Sequence, residues 1–346
     1  MTLRIGVTVS GIDTSTVDFV RQAERLGAST VWVPEFWMYD AFTPVAYLAA
    51  TTDTIVLGTA IAQLGTRTPA MLAMSAMSLQ SLSAGRFLLG IGTSGPQVME
   101  GWHGVRFDRP VARTRETIEI VRMIMSGARL TYDGEIYTLP LPDGEPRSLR
   151  SPAAPVRVPI YVASLGPANL RLTGELADGW IGNSFFPETA GVFFDHIRDG
   201  AASAGRSLDE IDLTVSVSLE LTDAVEEAGR RHADGYAFTF GAMGSPTRNF
   251  YNDAFARQGY ADDVAEVQRL WLTGDRAAAA QRVPIEIGLG TNLIGTDELV
   301  VERLRRYRDS GVDQLRVSVV GDGHADRLDQ LGRLIDLVQE VNSEAG

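Results

Sequence analysis

Residues 54–92 read TIVLGTAIAQLGTRTPAMLAMSAMSLQSLSAGRFLLGIG and contain the pattern that decides the fold. The apolar run at 54–61 predicts a buried strand, and the run at 86–91 predicts a second one. Between them, residues 69–83 predict a helix, because a proline opens its first turn and a glycine follows its last turn. A strand, a helix and another buried strand in succession indicate a parallel β-α-β unit.

The same alternation of strand and helix continues on both sides of this unit. Six further segments have the short apolar pattern of buried strands: 3–9, 30–33, 159–163, 178–182, 211–219 and 313–319. Helical periodicity appears between them: 17–26, 44–50, 110–126, 297–310 and 325–342. The Asp133-Gly134 pair predicts a hairpin at 132–137, since Asp-Gly favours a tight turn.

Eight strands with helices between them predict an α/β fold, a single (β/α)8 TIM barrel. An open, doubly wound sheet is the alternative that the same pattern allows. Residues 222–285 are polar and helical, without a clear strand, and we interpret them as a helical insertion before the last βα unit. The whole chain, 1–346, is predicted to be one barrel domain, because a barrel of about 250 residues tolerates insertions.

Composition excludes several classes of chemistry. The chain has no lysine and no cysteine, so Schiff-base lysines, thiol catalysis and disulfides are impossible. The four histidines are scattered without metal-ligand spacing, so no metal site is predicted. With 31 basic and 44 acidic residues the net charge is −13, which opposes binding to nucleic acid or to an anionic membrane.

The chain also lacks the sequence signals of export. Its first ten residues, MTLRIGVTVS, lead directly into a strand pattern rather than a signal peptide. No run approaches the ~18 apolar residues of a membrane span. A cytoplasmic protein is therefore the expectation.

Enzymes with this fold place their active sites on the loops that follow the strands. After the second strand, Glu35 precedes Phe36 and Trp37, a composition that suits the wall of a flat-ring pocket or a packed loop in which Glu35 forms a salt bridge. After the third strand, Arg67 lies just before a helix start, where anions bind well, although a surface arginine fits equally.

Two further loops have unusual residues. The fourth strand is followed by Gly92-Thr93-Ser94-Gly95 and then by Glu100, Trp102 and His103, but Pro96 breaks the dinucleotide-binding glycine pattern. The fifth strand is followed by Ser164-Leu165-Gly166-Pro167, whose serine and backbone amides suit a phosphate, or a simple serine cap.

Together these stretches resemble the luciferase-like monooxygenase superfamily. The resemblance rests on Leu57-Gly58-Thr59, Arg67-x-Pro69, Leu82-Ser83-x-Gly85-Arg86-Phe87-x-Leu89-Gly90-Ile91-Gly92 and Ala177-Asp178-Gly179-Trp180. It spans nearly the whole chain. Members of the superfamily use FMN or its deazaflavin analogue, coenzyme F420.

Three features resemble the F420-dependent branch more than the FMN-dependent one. They are Gly95-Pro96 with Glu100-Gly101-Trp102-His103-Gly104, Ser164-Leu165-Gly166-Pro167, and Met243-Gly244-Ser245 with Asn249-Phe250-Tyr251. We therefore expect coenzyme F420 as the cofactor, with FMN as the alternative.

The resemblance also implies which residues bind the cofactor. Glu35 and a bulge at Ala60–Ile61, with a non-prolyl cis peptide bond, would border the ring, and the Ser164–Pro167 segment would hold the tail phosphate. From its place before a helix start, Arg67 is expected to bind the anionic tail as well, and the loop of Glu100 is expected to fold back so that Trp102 and His103 cover the ring. The full set of expected cofactor contacts is Glu35, Ala60, Ile61, Arg67, Thr93, Ser94, Gly95, Trp102, Ser164, Leu165, Gly166 and Pro167.

The chain departs from many F420-dependent members at the position of the proton donor. Those members have Asp-His after the second strand, where this chain has Glu35-Phe36, and some have a glutamate at the position of Gly95. The expected catalytic acids and bases are therefore Glu100, His103 and Glu35, in that order. Burial of the loop is expected to raise the pKa of Glu100 and to lower the pKa of His103, so that both lie near neutral pH.

Three functions follow from the resemblance. The first is an F420-dependent oxidoreductase that transfers a hydride between the cofactor and a small organic substrate. The second is an FMN-dependent monooxygenase supplied with reduced flavin by a partner reductase. The third is a non-catalytic protein that binds flavin or deazaflavin. A homodimer is expected. The F420-dependent oxidoreductase could also have a partner enzyme that reduces its cofactor.

Overall fold

The computed structural model describes residues 2–9, 13–145, 147–244 and 249–344. Its strands, in chain order, are β1 (Arg4–Thr8), β2 (Thr30–Val33), β3 (Val56–Thr59), β4 (Ala62–Gln63), β5 (Phe87–Gly92), β6 (Tyr132–Asp133), β7 (Thr138–Leu139), β8 (Ile160–Ala163), β9 (Gly179–Gly182), β10 (Asp212–Leu221), β11 (Leu293–Gly295) and β12 (Gln314–Val319).

Eight of these strands close into a parallel barrel. The neighbours run β12-β1-β2-β3-β5-β8-β9-β10, and β10 pairs with both β9 and β12, which closes the ring. The predicted (β/α)8 barrel is therefore confirmed, and an open sheet is excluded because each barrel strand has two parallel neighbours.

Helices follow the barrel strands and cover the outside of the barrel. They are α1 (Thr14–Leu26), α2 (Phe42–Thr51), α3 (Pro69–Leu82), α4 (Pro110–Met125), α5 (Pro167–Leu176), α6 (Gly191–Ser203), α7 (Val225–Ala242), α8 (Phe250–Phe255), α9 (Ala261–Leu272), α10 (Arg276–Arg282), α11 (Ile285–Gly290), α12 (Asp297–Ser310) and α13 (His324–Ser343). The helix at 69–83 ends one residue earlier than predicted, at Leu82.

The region between β10 and β12 is helical, as predicted, but it also contains a strand that the sequence analysis missed. β11 pairs with the last three residues of the ten-residue β10, beyond the residues that pair with β9. A three-residue strand is too short to show a period of its own. Helices α7 to α11 precede it and share a separate hydrophobic cluster that includes Phe240, Phe255 and Val267. The boundaries 222–285 for an insertion stay a prediction.

Large side chains fill the interior of the barrel. Trp32, Leu88, Tyr161 and Ile181 form one buried cluster inside the ring of strands. Trp32 needs a glycine beside it, because a Cβ on Gly58 would lie 2.6 Å from its Cε3 atom. A filled interior leaves the carboxyl ends of the strands as the place for a ligand.

No helix in the described part of the chain is long and apolar enough to cross a membrane.

Candidate active site

The barrel brings three of the predicted loops side by side at the carboxyl ends of the strands. β3, β5 and β8 are consecutive neighbours, and Gly92 at the end of β5 pairs with both Gln63 and Ala163. The peptide bond between Ala60 and Ile61 is cis, which confirms the prediction for this bond. A Cβ on Gly92 would lie 3.1 Å from Ile61 Cγ1, so the absence of a side chain lets Ile61 approach the strand closely.

Glu35 is held in a network rather than free. It is 9% exposed, and its carboxylate accepts hydrogen bonds from Arg67 Nη1 at 2.8 Å and from the amides of Ala41 and Gln63 at 3.1 Å each. Arg67 also lies over the Phe42 ring at 4.8 Å. Each partner neutralises the other, so Arg67 offers no free positive charge to a cofactor tail.

The loop after β5 leaves the barrel through a left-handed residue and a short π-helix. Ser94 has a φ of 57°, a conformation that non-glycine residues seldom adopt outside functional or turn positions. The π-helix Gln97–Trp102 buries Met99 and directs Glu100 outward. π-helical turns of this kind occur frequently at functional sites.

The acids and aromatics of this loop are exposed, contrary to the expectation of a buried pair. Glu100 and His103 are exposed, and Trp102 is 65% exposed. Glu100 accepts a hydrogen bond from the amide of Phe107 at 3.0 Å, which closes the loop on itself. The sequence could not show this, because exposure depends on what packs over the loop.

Helices α7 and α8 contact this loop. Gln97 Nε2 donates to the carbonyl of Ala242 at 3.0 Å, and the rings of Phe107 and Phe250 are 6.2 Å apart. The Asn249-Phe250-Tyr251 part of the motif therefore lies near the loop with which it was grouped, and Ser245 is outside the described residues.

In the loop after β8, the Ser164 hydroxyl bonds within the protein rather than pointing to a ligand. The Ser164 hydroxyl is buried and lies 2.9 Å from Thr173 Oγ1, while its carbonyl accepts from Trp180 Nε1. Helix α5 begins after Gly166 without a side-chain cap. The amides of its first turn are therefore available to an anion, as predicted for this segment, but the serine hydroxyl is directed elsewhere.

A cationic group that the sequence analysis missed lies beside this helix start. Arg257, from the turn after α8, donates to the carbonyls of Asp253, Val192 and Leu165, the last at 2.5 Å, and forms no ion pair among the described residues. Burial and the charges of Arg171 and Arg257 lower the pKa of His196. Arg257 is 92 residues from Leu165 in sequence, so only the fold reveals the pairing.

Three of the buried polar atoms without partners lie on or just after strands of the barrel. Thr8 Oγ1, Gln63 Oε1 and Arg316 Nε are buried and lack a hydrogen-bond partner within the described residues. Buried polar groups are nearly always satisfied, so such atoms are where a bound ligand is expected. Apolar residues at the cis bond, uncapped amides and an arginine whose charge no described carboxylate neutralises suit a flat ring with an anionic tail.

These features define a barrel oxidoreductase-type site, and sequence comparison gives its family. The chain belongs to the luciferase-like monooxygenase family, whose sequence profile matches residues 10–314.

Relatives within the family are similar over most of their length. A Mycobacterium tuberculosis protein described as a coenzyme F420-dependent oxidoreductase is 35% identical over 92% of this chain and 93% of its own. A 5,10-methylenetetrahydromethanopterin reductase of Archaeoglobus fulgidus is 29% identical over 86% of this chain and 87% of its own.

Solved structures show the same fold with either type of cofactor. The coenzyme F420-dependent tetrahydromethanopterin reductase of Methanopyrus kandleri superposes with a TM-score of 0.77 at 22% identity, covering 98% of this chain and 99% of that one. An FMN complex of the oxygenating constituent of 3,6-diketocamphane monooxygenase from Pseudomonas putida has a TM-score of 0.70 at 19% identity, with 98% of both chains covered. The fold alone therefore does not select the cofactor.

Proposed function

We propose that this protein is a coenzyme F420-dependent oxidoreductase that transfers a hydride between the cofactor and a small organic substrate. The names of the relatives support the choice of F420. The observation that carries the proposal is Arg257, which lies without a carboxylate partner in the described structure beside the uncapped start of α5. The deazaflavin, when bound, supplies a two-electron hydride carrier, and the protein supplies its binding and orientation.

The chain's own residues would then divide into ring and tail contacts. Ala60 and Ile61 would support one side of the ring, and the Thr93–Gly95 backbone would border it. Leu165, Gly166 and Pro167 would receive the tail together with Arg257, while Ser164 would fix the loop from behind. Glu35 and Arg67 would act as positioning residues that hold the loop after β2, and Trp102 would cover the ring from the solvent side.

Proton transfer would fall to the exposed residues of the β5 loop. Glu35 accepts three hydrogen bonds that fix its position, so it suits positioning better than proton exchange. We propose Glu100 first and His103 second. Glu100→Gln should lower turnover by about 10²–10⁴-fold with cofactor affinity unchanged, because removal of a general acid costs that much. If single-turnover rates are unchanged in both Glu100→Gln and His103→Gln, neither residue is the acid.

Cofactor titration tests the assignment of F420. Wild-type protein should bind F420 at micromolar concentration or tighter, and FMN much more weakly, as followed by fluorescence quenching. Arg257→Ala should weaken F420 binding about tenfold, since one charge-assisted contact to an anion is lost. Arg198→Ala, an exposed arginine paired with Asp195, is the matched control and should bind normally.

The alternatives correspond to other outcomes of the same titration. Tighter binding of FMN than of F420 would favour the FMN-dependent monooxygenase. Tight binding of F420 without turnover by any reductant and substrate pair would favour a non-catalytic binding protein. An enzyme would also need a second protein that reduces or reoxidises its cofactor.

We also propose that the protein is a homodimer. Met71, Met74 and Leu82 lie exposed along one side of α3, with Tyr47 exposed on the neighbouring α2. Several exposed apolar side chains on neighbouring helices are typical of a protein interface. Sedimentation should give twice the chain mass for the wild type and the monomer mass for Met74→Asp. A monomeric wild type would contradict the proposal.

A further inference from the structure

Arg316 is a buried arginine inside the barrel. It lies in the middle of β12, opposite Gly6 of β1 and Ser216 of β10. Its neighbours in sequence, Leu315 and Val317, pack into the outer hydrophobic core. Since side chains alternate along a strand, Arg316 projects into the barrel. It is 8% exposed.

Its guanidinium forms only one hydrogen bond with the described residues. Nη1 donates to the carbonyl of Ala60 at 3.3 Å, and Nε has no partner in the described residues. A guanidinium has five N–H donors. Arg316 also forms no ion pair there, and the undescribed residues have no acidic side chain: Met1, Ser10, Gly11, Ile12, Pro146, Ser245, Pro246, Thr247, Arg248, Ala345 and Gly346.

Two hydroxyl-bearing residues share the same space. Thr8 lies two residues beyond Gly6 on β1 and so projects to the same inner face, and its buried Oγ1 is also without a partner among described groups. Tyr251 on α8 is close enough that the charge of Arg316 acts on it, and burial raises the pKa of its hydroxyl. A cation with two neutral hydroxyls on one wall is suited to an oxyanion.

We propose that Arg316, with Thr8 and Tyr251, binds a carboxylate group of the substrate. The assignment of this carboxylate to a substrate rests on the proposed function, whereas the anion site itself does not. A carboxylate is favoured over a phosphate because a single guanidinium balances one negative charge, and a dianion would leave one charge buried. The planar fork of the guanidinium also matches a carboxylate in two parallel hydrogen bonds.

The anion belongs to the substrate rather than to the cofactor tail because of its place on the barrel. The uncapped helix start and Arg257 follow β8, and β12 lies three strands from β8 by the shorter way around the ring. Instead, Arg316 reaches the carbonyl of Ala60, beside the cis bond that would support the ring. A substrate carboxylate held there would place the rest of the molecule along the ring.

A buried charge without a partner costs stability, and this supports a binding role. Burial lowers the pKa of Arg316 to about 10. Arg316→Met replaces the charge with an apolar chain of similar length. If the arginine is present for a ligand, the midpoint of urea unfolding of this variant should equal or exceed that of the wild type.

Calorimetric titration of the cofactor-free protein tests the site with defined probes. Benzoate should bind the wild type, and the neutral isostere benzamide and the dianion phenyl phosphate should each bind at least tenfold more weakly. Arg316→Met should weaken benzoate at least tenfold, and Tyr251→Phe by about two- to tenfold. Arg303→Met, which removes a mostly buried arginine paired with Glu188, is the control and should leave benzoate affinity unchanged.

Three results would overturn the proposal. They are equal benzoate affinity in Arg316→Met and the wild type, stronger binding of phenyl phosphate than of benzoate, and loss of benzoate binding when F420 is added, which would assign the anion site to the cofactor. Because the main titration contains no cofactor, benzoate can bind as expected even if the protein does not bind F420. The carboxylate site and the F420 assignment therefore fail separately.

Discussion

Two arginines at opposite ends of the barrel differ in how completely the protein uses them. Arg86, just before β5 at the amino end, donates five hydrogen bonds: to Ser83 O, Thr52 Oγ1, Ile55 O, Ala49 O and Thr52 O. Arg316, which reaches the carboxyl end, donates one, to Ala60 O at 3.3 Å.

This difference separates stability from binding within one fold. At the amino end, the guanidinium of Arg86 is satisfied by the chain itself and joins β5 to the end of α2. At the carboxyl end, several buried polar atoms are left for a partner that is not part of the chain. This agrees with the general division of (β/α)8 barrels into a stabilising face and a functional face.

The largest effect is expected from Arg86→Met. The substitution leaves four backbone carbonyls without their donor, so the free energy of unfolding should fall by about 3–5 kcal/mol. Urea unfolding followed by circular dichroism measures it. Arg316→Met in the same assay should show no loss. Similar losses in the two variants would remove the contrast between the two ends.

A smaller effect is expected from Glu35→Gln, at the carboxyl end. Glu35 is an exception there, because its carboxylate accepts from Arg67, Ala41 and Gln63. Loss of its charge should lower the free energy of unfolding by about 2–3 kcal/mol. Glu100→Gln, at an exposed acid of the same end, should change it by less than about 1 kcal/mol. Equal stability of Glu35→Gln and the wild type would show that Glu35 is free for chemistry.

The smallest effect concerns Asp178, which precedes β9 at the amino end. Burial alone would raise its pKa, but hydrogen bonds from the Ile160 amide and Arg157 and the charge of Arg122 hold the pKa below its usual value. A lowered carboxyl pKa stabilises the fold above the unfolded pKa of about 4, and this stabilisation is lost as the pH falls through the folded pKa.

Asp178→Asn should therefore be less stable than the wild type by about 1–2 kcal/mol at pH 7. The gap between the two proteins should narrow below pH 4, as measured by urea unfolding at several pH values. A gap that stays constant down to pH 2 would mean that the carboxylate charge contributes nothing.

The sequence predicted local structure well wherever the pattern is long. Strand β2 has the predicted bounds, and helix α3 differs by one residue from prediction. The cis bond at Ala60–Ile61 followed from the family resemblance. The brief strand β11 was missed, since three residues show no period. The strand predicted at 54–61 is the shorter β3, Val56–Thr59, which ends before the cis bond, and β4 follows the cis bond outside the predicted bounds.

The site was predicted less completely than the fold. The loops were identified, because small residues and aromatics after strands are visible in the sequence. The partners of individual side chains were not. Arg67 belongs with Glu35, and the Ser164 hydroxyl with Thr173, whereas the arginine beside Leu165, Arg257, comes from a distant part of the chain.

The sequence by itself determined the barrel, the absence of lysine and cysteine chemistry, and the loops that form its active end, because each depends on residue type and local spacing. Only the tertiary structure decided which charges are neutralised and which are free. Arg67, Arg86, Arg257 and Arg316 are the same residue type, and nothing near them in sequence separates them. What distinguishes them is which distant carbonyls and carboxylates the closed barrel brings within hydrogen-bond distance.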